Sequence, residues 1–234
     1  SLRFREICDM TQSCKFNYTA REGSNNISIR VINSDGKTNT TNIDFLIDTK
    51  NPRISRVRPR DGTLMNNDDV FSIKYTESNL KKITLFYNDS STMTTTCDSG
   101  KNKVCEFDRD LSAFDGKSFN YWFEVEDVVG NVENSSVRSV SVDASAPIVK
   151  SKSIGIDGRK VIFNFEIEEA NFDKIIFLDR NDKRPRWRRL CSKLVVGSCL
   201  KSKRFRSGEH RLDVKVLDKA GNEAMIYTNE IISV

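Results

Sequence analysis

The chain has 234 residues, of which 38 are Lys or Arg and 33 Asp or Glu, giving a formal net charge of +5 with one histidine. A single histidine excludes histidine-rich metal centres, and no apolar run approaches the roughly 18 to 20 residues of a membrane-spanning helix. Residue 1 is serine with no signal-like apolar run behind it, so we expect an interior piece of a longer polypeptide, with any leader or anchor outside it.

In chain order, one pattern occurs three times: a close cysteine pair, a glycine, an alternating apolar run, and a glycine turn. The first copy has Cys8 and Cys14, Gly23, then Ile27, Ile29 and Val31 entering the turn VINSDGK at 31–37, followed by Ile43, Phe45 and Ile47. Period-two alternation predicts two strands here. The second copy is longer. Phe71, Ile73 and Tyr75 alternate on one predicted strand and Ile83, Leu85 and Tyr87 on the next. Cys97 and Cys105 bracket D-S-G-K-N, and we expect their bridge to staple a hairpin or its flanking strands. Tyr121, Phe123 and Val125 then run into VEDVVGN at 125–131, and Val137 to Val142 forms a last strand. Trp122 is expected to face outward or pack on a neighbouring domain.

The third copy is expected to match the second strand for strand. Val161, Phe163, Phe165 and Ile167 take the first alternating run, Ile175 and Phe177 the second. Cys191 and Cys199 follow, then Leu212, Val214 and Val216 enter VLDKAGN at 216–222, and Ile226 to Val234 closes the unit. The turn glycines Gly36, Gly130 and Gly221 lie 94 and 91 residues apart, a period suited to a small β-sandwich with its own core. The fold expected is all-β, tandem immunoglobulin-like or fibronectin type III-like sandwiches: a partial domain at 1–50 holding only the second half of a sandwich, then complete domains at 51–146 and 147–234. The short first unit is read as a sandwich lacking its early strands, or one completed by a partner chain through strand addition.

The joints repeat as well: Asp48-Thr-Lys-Asn-Pro52-Arg-Ile54 and Asp143-Ala-Ser-Ala-Pro147-Ile-Val149. Proline fixes its own φ and keeps its predecessor extended, so each joint is expected to be short and stiff. An alternating strand entering D-x-x-G-N, then a last strand and D-x-x-x-P-x-I, resembles the immunoglobulin-like and fibronectin type III-like repeats of prokaryotic, especially archaeal, cell-surface proteins. Glu77-Ser-Asn79-Leu80-Lys-Lys82-Ile83, echoed by Glu169-Ala-Asn171-Phe172-Asp-Lys174-Ile175, is similar to the wording of those repeats. The resemblance implies a stalk, adhesin, envelope or appendage module. The first copy departs from it, with Asn33 and Lys37 in place of Asp127/Asn131 and Asp218/Asn222.

Three local cysteine pairs, Cys8/Cys14, Cys97/Cys105 and Cys191/Cys199, fit a disulfide framework made in an oxidising compartment. Zinc needs four ligands where each repeat offers two, so no metal is assigned. The oxygen donors Asp127, Asn131 and Asp143, with their counterparts, also suit calcium, Asp48 or Asp143 placing it at a joint; turn chemistry, with Asp and Asn bonding their own backbone, is the preferred reading. Sequons at Asn17, Asn26, Asn39, Asn88 and Asn134 mark candidate glycosylation sites, all in the first two copies.

Residues 180–206 hold eleven cations against the single acid Asp182. Arg184, Arg186, Trp187, Arg188 and Arg189 are the candidate ligand-binding residues, suited to an anionic glycan or lipid surface, with Trp187 stacking on a sugar or sitting at a bilayer interface. The competing reading is a solvated arm, or a complement to an acidic neighbouring repeat. Nothing supports catalysis: there is no G-x-S-x-G, no phosphate-cradling glycine loop, and Glu209-His210 is the only dyad open to a triad. Acid pairs such as Asp68/Asp69 and Glu168/Glu169 read as solvated strand ends.

The function expected is a non-catalytic extracellular structural or stalk segment of a cell-surface protein, without cofactors. The alternatives are an adhesion module using 180–206, or a subunit of a polymerising surface filament. Expected partners are other cell-surface proteins or anionic glycans, with self-association as a further option. Nucleic acid is not expected, and a membrane only through segments outside this chain.

Overall fold

The computed structural model describes residues 4–9, 13–87 and 91–234. The strands are β1 (Gly23–Ile32), β2 (Thr38–Ile47), β3 (Arg53–Arg58), β4 (Thr63–Met65), β5 (Phe71–Glu77), β6 (Leu80–Tyr87), β7 (Ser91–Thr95), β8 (Gly100–Phe107), β9 (Ser118–Asp127), β10 (Val132–Asn134) and β11 (Arg138–Val142). They continue as β12 (Ile148–Asp157), β13 (Lys160–Glu168), β14 (Phe172–Asp179), β15 (Arg188–Cys191), β16 (Ser198–Arg204), β17 (Glu209–Asp218) and β18 (Glu223–Ser233). No α-helix occurs among the described residues.

Strands β3 to β11 make the first sandwich. One sheet runs β3-β5-β8 and the other β4-β11-β9-β6-β7, with β10 also on β9. Alternation decides what lies between them: Phe71, Ile73 and Tyr75 of β5, Ile83, Leu85 and Tyr87 of β6, and Tyr121, Phe123 and Val125 of β9 all point inward and are buried. The second sandwich packs β12-β13-β16 against β15-β14-β17-β18. Its core comes from Val161, Phe163, Phe165, Ile167, Ile175, Phe177, Leu212, Val214 and Val216. At about 25 cal/mol per Å² of apolar surface, these aromatic-rich interiors are the main favourable contribution to each fold.

The two sandwiches do not match strand for strand. In the first, the opening strand switches sheets: β3 pairs with β5, the chain turns through Pro59-Arg-Asp-Gly62, and β4 pairs in parallel with β11. In the second, β12 stays on β13 for ten residues, and β18 carries no such partner. Proline supplies no N–H to continue a ladder, and Gly155-Ile-Asp-Gly158 at the equivalent point puts no proline in the strand.

Ahead of both sandwiches, β1 and β2 form a two-stranded ribbon paired residue for residue from Gly23↔Ile47 to Ile32↔Thr38. Ile29, Val31, Ile32 and Ile43 remain exposed on it.

Disulfides join Cys8–Cys14, Cys97–Cys105 and Cys191–Cys199 across Cα separations of 6.0, 6.0 and 6.2 Å. Of the two arrangements expected for Cys97 and Cys105, the bridge ties together the flanking strands and not a hairpin. Cys105 lies on β8, which pairs with β5, while β7, just before Cys97, pairs with β6 in the opposite sheet. Likewise Cys191 belongs to β15 on β14, and Cys199 to β16 on β13. These two bridges therefore hold the crossover between two sheets at the rim of a sandwich, where no ladder hydrogen bond can do so.

Candidate functional site

The residues brought together most closely lie at the two joints, in the same arrangement each time. At the first, Asn79 Nδ2 donates to Asp48 Oδ2 (2.6 Å), and Asn131 Nδ2 donates to the Asp48 carbonyl (3.0 Å) and to Asp127 Oδ2 (2.7 Å). At the second, Asn171 Nδ2 donates to Asp143 Oδ2 (2.6 Å), and Asn222 Nδ2 to the Asp143 carbonyl (2.6 Å) and Asp218 Oδ2 (2.8 Å). One asparagine comes from the loop ahead of β6 or β14, the other from the turn after β9 or β17.

The turns hold themselves as their sequence suggests. Asp127 Oδ1 accepts the Val129 and Asn131 N–H groups at 2.9 and 2.8 Å, and Asp218 Oδ1 those of Gly221 and Asn222 at 2.7 and 2.9 Å. Gly130 and Gly221 supply φ of +95° and +98°, which a side chain would strain. In the ribbon, Asn33 Oδ1 takes the aspartate's role, accepting from Asp35 and Lys37 at 3.1 and 2.8 Å. Lys37 stands where Asn131 and Asn222 carry the side-chain amide, so the turn is kept without that donor.

A second contact arrives from the unit before each joint. Glu22 accepts from Thr49 N–H (3.2 Å) and its hydroxyl (2.9 Å), and Asp115 from Ala144 N–H (2.8 Å) and the Ser145 hydroxyl. The Ser145 bond, with the neighbouring backbone N–H groups, holds the Asp115 carboxyl below the usual range. Each linker is thus gripped on one side by the preceding acid and on the other by two asparagines. The sequence does carry a signal for the acids, since Glu22 and Asp115 directly precede Gly23 and Gly116, the glycines ahead of each last pair of long strands.

Glu77 and Glu169 complete the joints. Each accepts the N–H of the asparagine two residues on, at 2.7 and 2.6 Å. The reading of Glu169 as a solvated strand end is corrected: it is half-buried, and one oxygen each from Asp143, Glu169 and Asp218 lie within 4.8 Å of one another, as do those of Asp48, Glu77 and Asp127. Burial raises the Glu169 carboxyl above its ordinary value, and the charges of Asp143 and Asp218 raise it further. The Asn79 amide has the opposite effect on Asp48, lowering it. Hard oxygen donors in this grouping are the kind that can hold a divalent cation. Their amide and backbone donors already engage the same carboxylates.

The basic segment divides into two parts. Trp187 lies on the outer face of the β14–β17 sheet with Lys215 Nζ 4.9 Å from its ring centre, Arg188 pairs with Asp182, and Arg180 pairs with Asp213 at 2.5 Å. Arg184, Arg186 and Arg189 are exposed. The five candidate residues therefore form no single pocket, and Trp187 is occupied by a lysine of its own sheet. His210 is also structural: Nδ1 lies 2.6 Å from Asp179 Oδ2 and Nε2 2.9 Å from the Arg206 carbonyl. Trp122 stacks on Phe86 with ring centres 5.0 Å apart.

Asn17 and Asn39 are exposed, as is Asn134 on β10, while Asn26 is exposed on β1 and donates to Asp44. Asn88 lies outside the described residues.

No family model matches the chain, and no curated protein matches it. Among solved structures, the FN1–FN3 domains of chicken CNTN1 align with a TM-score of 0.50 at 11% identity, over 88% of this chain and 78% of that one. The likeness is one of fold. The fibronectin(III)-like modules of Clostridium thermocellum CbhA share 14% identity over 78% of this chain and 91% of theirs, with a TM-score of 0.43. A 1.5-MDa bacterial ice-binding adhesin shares 14% identity over 88% of this chain and 72% of that structure, with a TM-score of 0.36. This chain is a tandem array of fibronectin type III-like or immunoglobulin-like β-sandwiches.

Proposed function

We propose that the chain is a non-catalytic spacer in an extracellular, cell-surface protein, holding other parts of that protein at a set distance and orientation. The observation that carries this is the joint. Two linkers far apart in sequence are gripped by the same donors and acceptors from both neighbouring units, which restricts rotation at each connection. Three disulfides suit an oxidising, extracellular location. The D-x-x-G-N turns and D-x-x-x-P joints support assignment to the surface repeats of prokaryotes, archaea in particular. Exposed Asn17, Asn39 and Asn134 give such a spacer a place for glycans on its first two units.

Immunogold microscopy of the source cells with an antibody against residues 150–234 tests the assignment. Label along the outer surface or on filaments is expected. Label confined to the cytoplasm would overturn it.

A further inference from the structure

The rim loop of the second sandwich, between Cys191 and Cys199, has a tip that neither folding nor solubility explains. Val195 and Ser198 exchange both backbone hydrogen bonds, Val195 N–H to the Ser198 carbonyl at 2.9 Å and Ser198 N–H to the Val195 carbonyl at 3.0 Å. The two residues between them, Val196 and Gly197, have φ of +49° and +75°, the form of a two-residue hairpin turn that selects Asn, Asp or Gly at its first position. A β-branched residue at positive φ is a conformational outlier. This one is 98% exposed, beside Val195 at 68%.

The first sandwich provides an internal control. Its loop has the same disulfide spacing, and the residue at the position of Val196 is Asn102, with φ +55°. There Gly100-Lys-Asn102 opens strand β8, with the Asn102 N–H donating to the Thr76 hydroxyl of β5 at 3.0 Å, whereas here Leu194-Val-Val196 runs into a two-residue turn. The disulfide spacing therefore does not require valine, and the positive φ at this position is met in the first sandwich by asparagine. Nor is the tip loose: Leu194 packs on the core, and Ile167 N–H donates to the Gly197 carbonyl at 2.8 Å.

Cations surround it. A depression of about 290 Å³ between the ends of β15 and β16 is lined by Arg189, Lys193 and Lys201 together with Val195. The ion pairs of the basic segment involve Arg180 and Arg188, so these three are unpaired among the described residues. An apolar point with a cationic collar matches the hydrocarbon and headgroup layers of an anionic bilayer in order of depth. A polysaccharide would instead require aromatic faces or hydrogen-bonding side chains at the tip, and Val195 and Val196 provide neither.

We propose that the Lys193–Gly197 tip is a membrane-contact element: Val195 and Val196 enter the outer acyl region of an anionic lipid surface while Arg189, Lys193 and Lys201 bind its headgroups. The inference does not depend on the spacer reading, and either can fail alone.

The test is co-sedimentation of the whole chain with phosphatidylcholine vesicles, with and without phosphatidylglycerol. We expect binding only when phosphatidylglycerol is present, weakening as salt rises. The double variant Val195→Ser/Val196→Asn should lower the partition coefficient by about tenfold or more. Lys193→Glu and Lys201→Glu should each lower it by about fivefold or more. Asparagine suits the first position of this turn and takes the same positive φ at Asn102, so thermal melting of Val196→Asn should match or exceed that of the parent. Absence of vesicle binding would overturn the proposal, as would binding that the valine variants leave intact. Retention on an anionic polysaccharide that ignores the valines would overturn it in favour of a glycan site.

Discussion

Asn222→Ala tests whether the joints are held as described. The substitution deletes two hydrogen bonds, one to the Asp143 carbonyl across the joint and one to Asp218 Oδ2 within the turn. Asp143 and Asp218 are 7% and 2% exposed, so water replaces the lost donor poorly. A net bond to a neutral acceptor contributes about 1 kcal/mol and one to a carboxylate about 1.5 to 3 kcal/mol. Asp218 keeps its bonds from the Gly221 and Asn222 N–H groups, which places the total near 2 kcal/mol. For a unit of this size that lowers the melting temperature of the second sandwich by about 10 °C. The joint should loosen as well. Calorimetry gives the first quantity. ¹⁵N relaxation gives the second, with the two sandwiches tumbling on one correlation time in the parent and on separate times in the variant. A melting loss with unchanged relaxation would refute the clasp, showing that Asn222 only caps its own turn.

Other perturbations test the electrostatics and the staples. Glu169 is held above its ordinary value, so the fold favours its protonated form and loses stability as pH rises from about 4.5 through the raised value. Glu169→Gln, which keeps an acceptor for Asn171 N–H, should therefore melt higher than the parent at neutral pH and equally below about pH 4; a lower melting point at neutral pH contradicts this. Burial acts to lower His210, but the Arg206 carbonyl and the Asp179 carboxylate outweigh it and hold the imidazole above 6.5. Its stabilising contribution is complete below 6.5 and is lost as pH climbs through the raised value, so His210→Ala should cost more at about pH 5 than at about pH 9 in denaturant melts. Cys97→Ser/Cys105→Ser should destabilise the first sandwich by about 2 to 3 kcal/mol in urea titrations, with the second sandwich unaffected.

The sequence alone determined the fold class and most of the core. Period-two alternation reports which residues face inward, and Phe71, Ile73, Tyr75, Tyr121, Phe123 and Val125 with their counterparts are buried as that pattern requires. The turns were equally legible, because Gly130 and Gly221 meet a local demand for positive φ. Which sheet a strand joins is not local: the crossing of the Cys97–Cys105 and Cys191–Cys199 bridges between sheets, and the sheet switch after Pro59, depend on pairings between residues distant in the chain. The joints needed the tertiary structure for the same reason. The sequence marks Asp48, Asp127, Asp143 and Asp218 as joint and turn residues, but nothing along the chain adds Glu77 or Glu169 to them, and only folding brings each trio within 4.8 Å. The basic segment shows the opposite case, where a single run in sequence becomes two surfaces in space. Backbone pairing seats Trp187 and Arg188 against one sheet and carries Lys193 to Gly197 out to a rim, a separation that charge and composition along the chain do not encode.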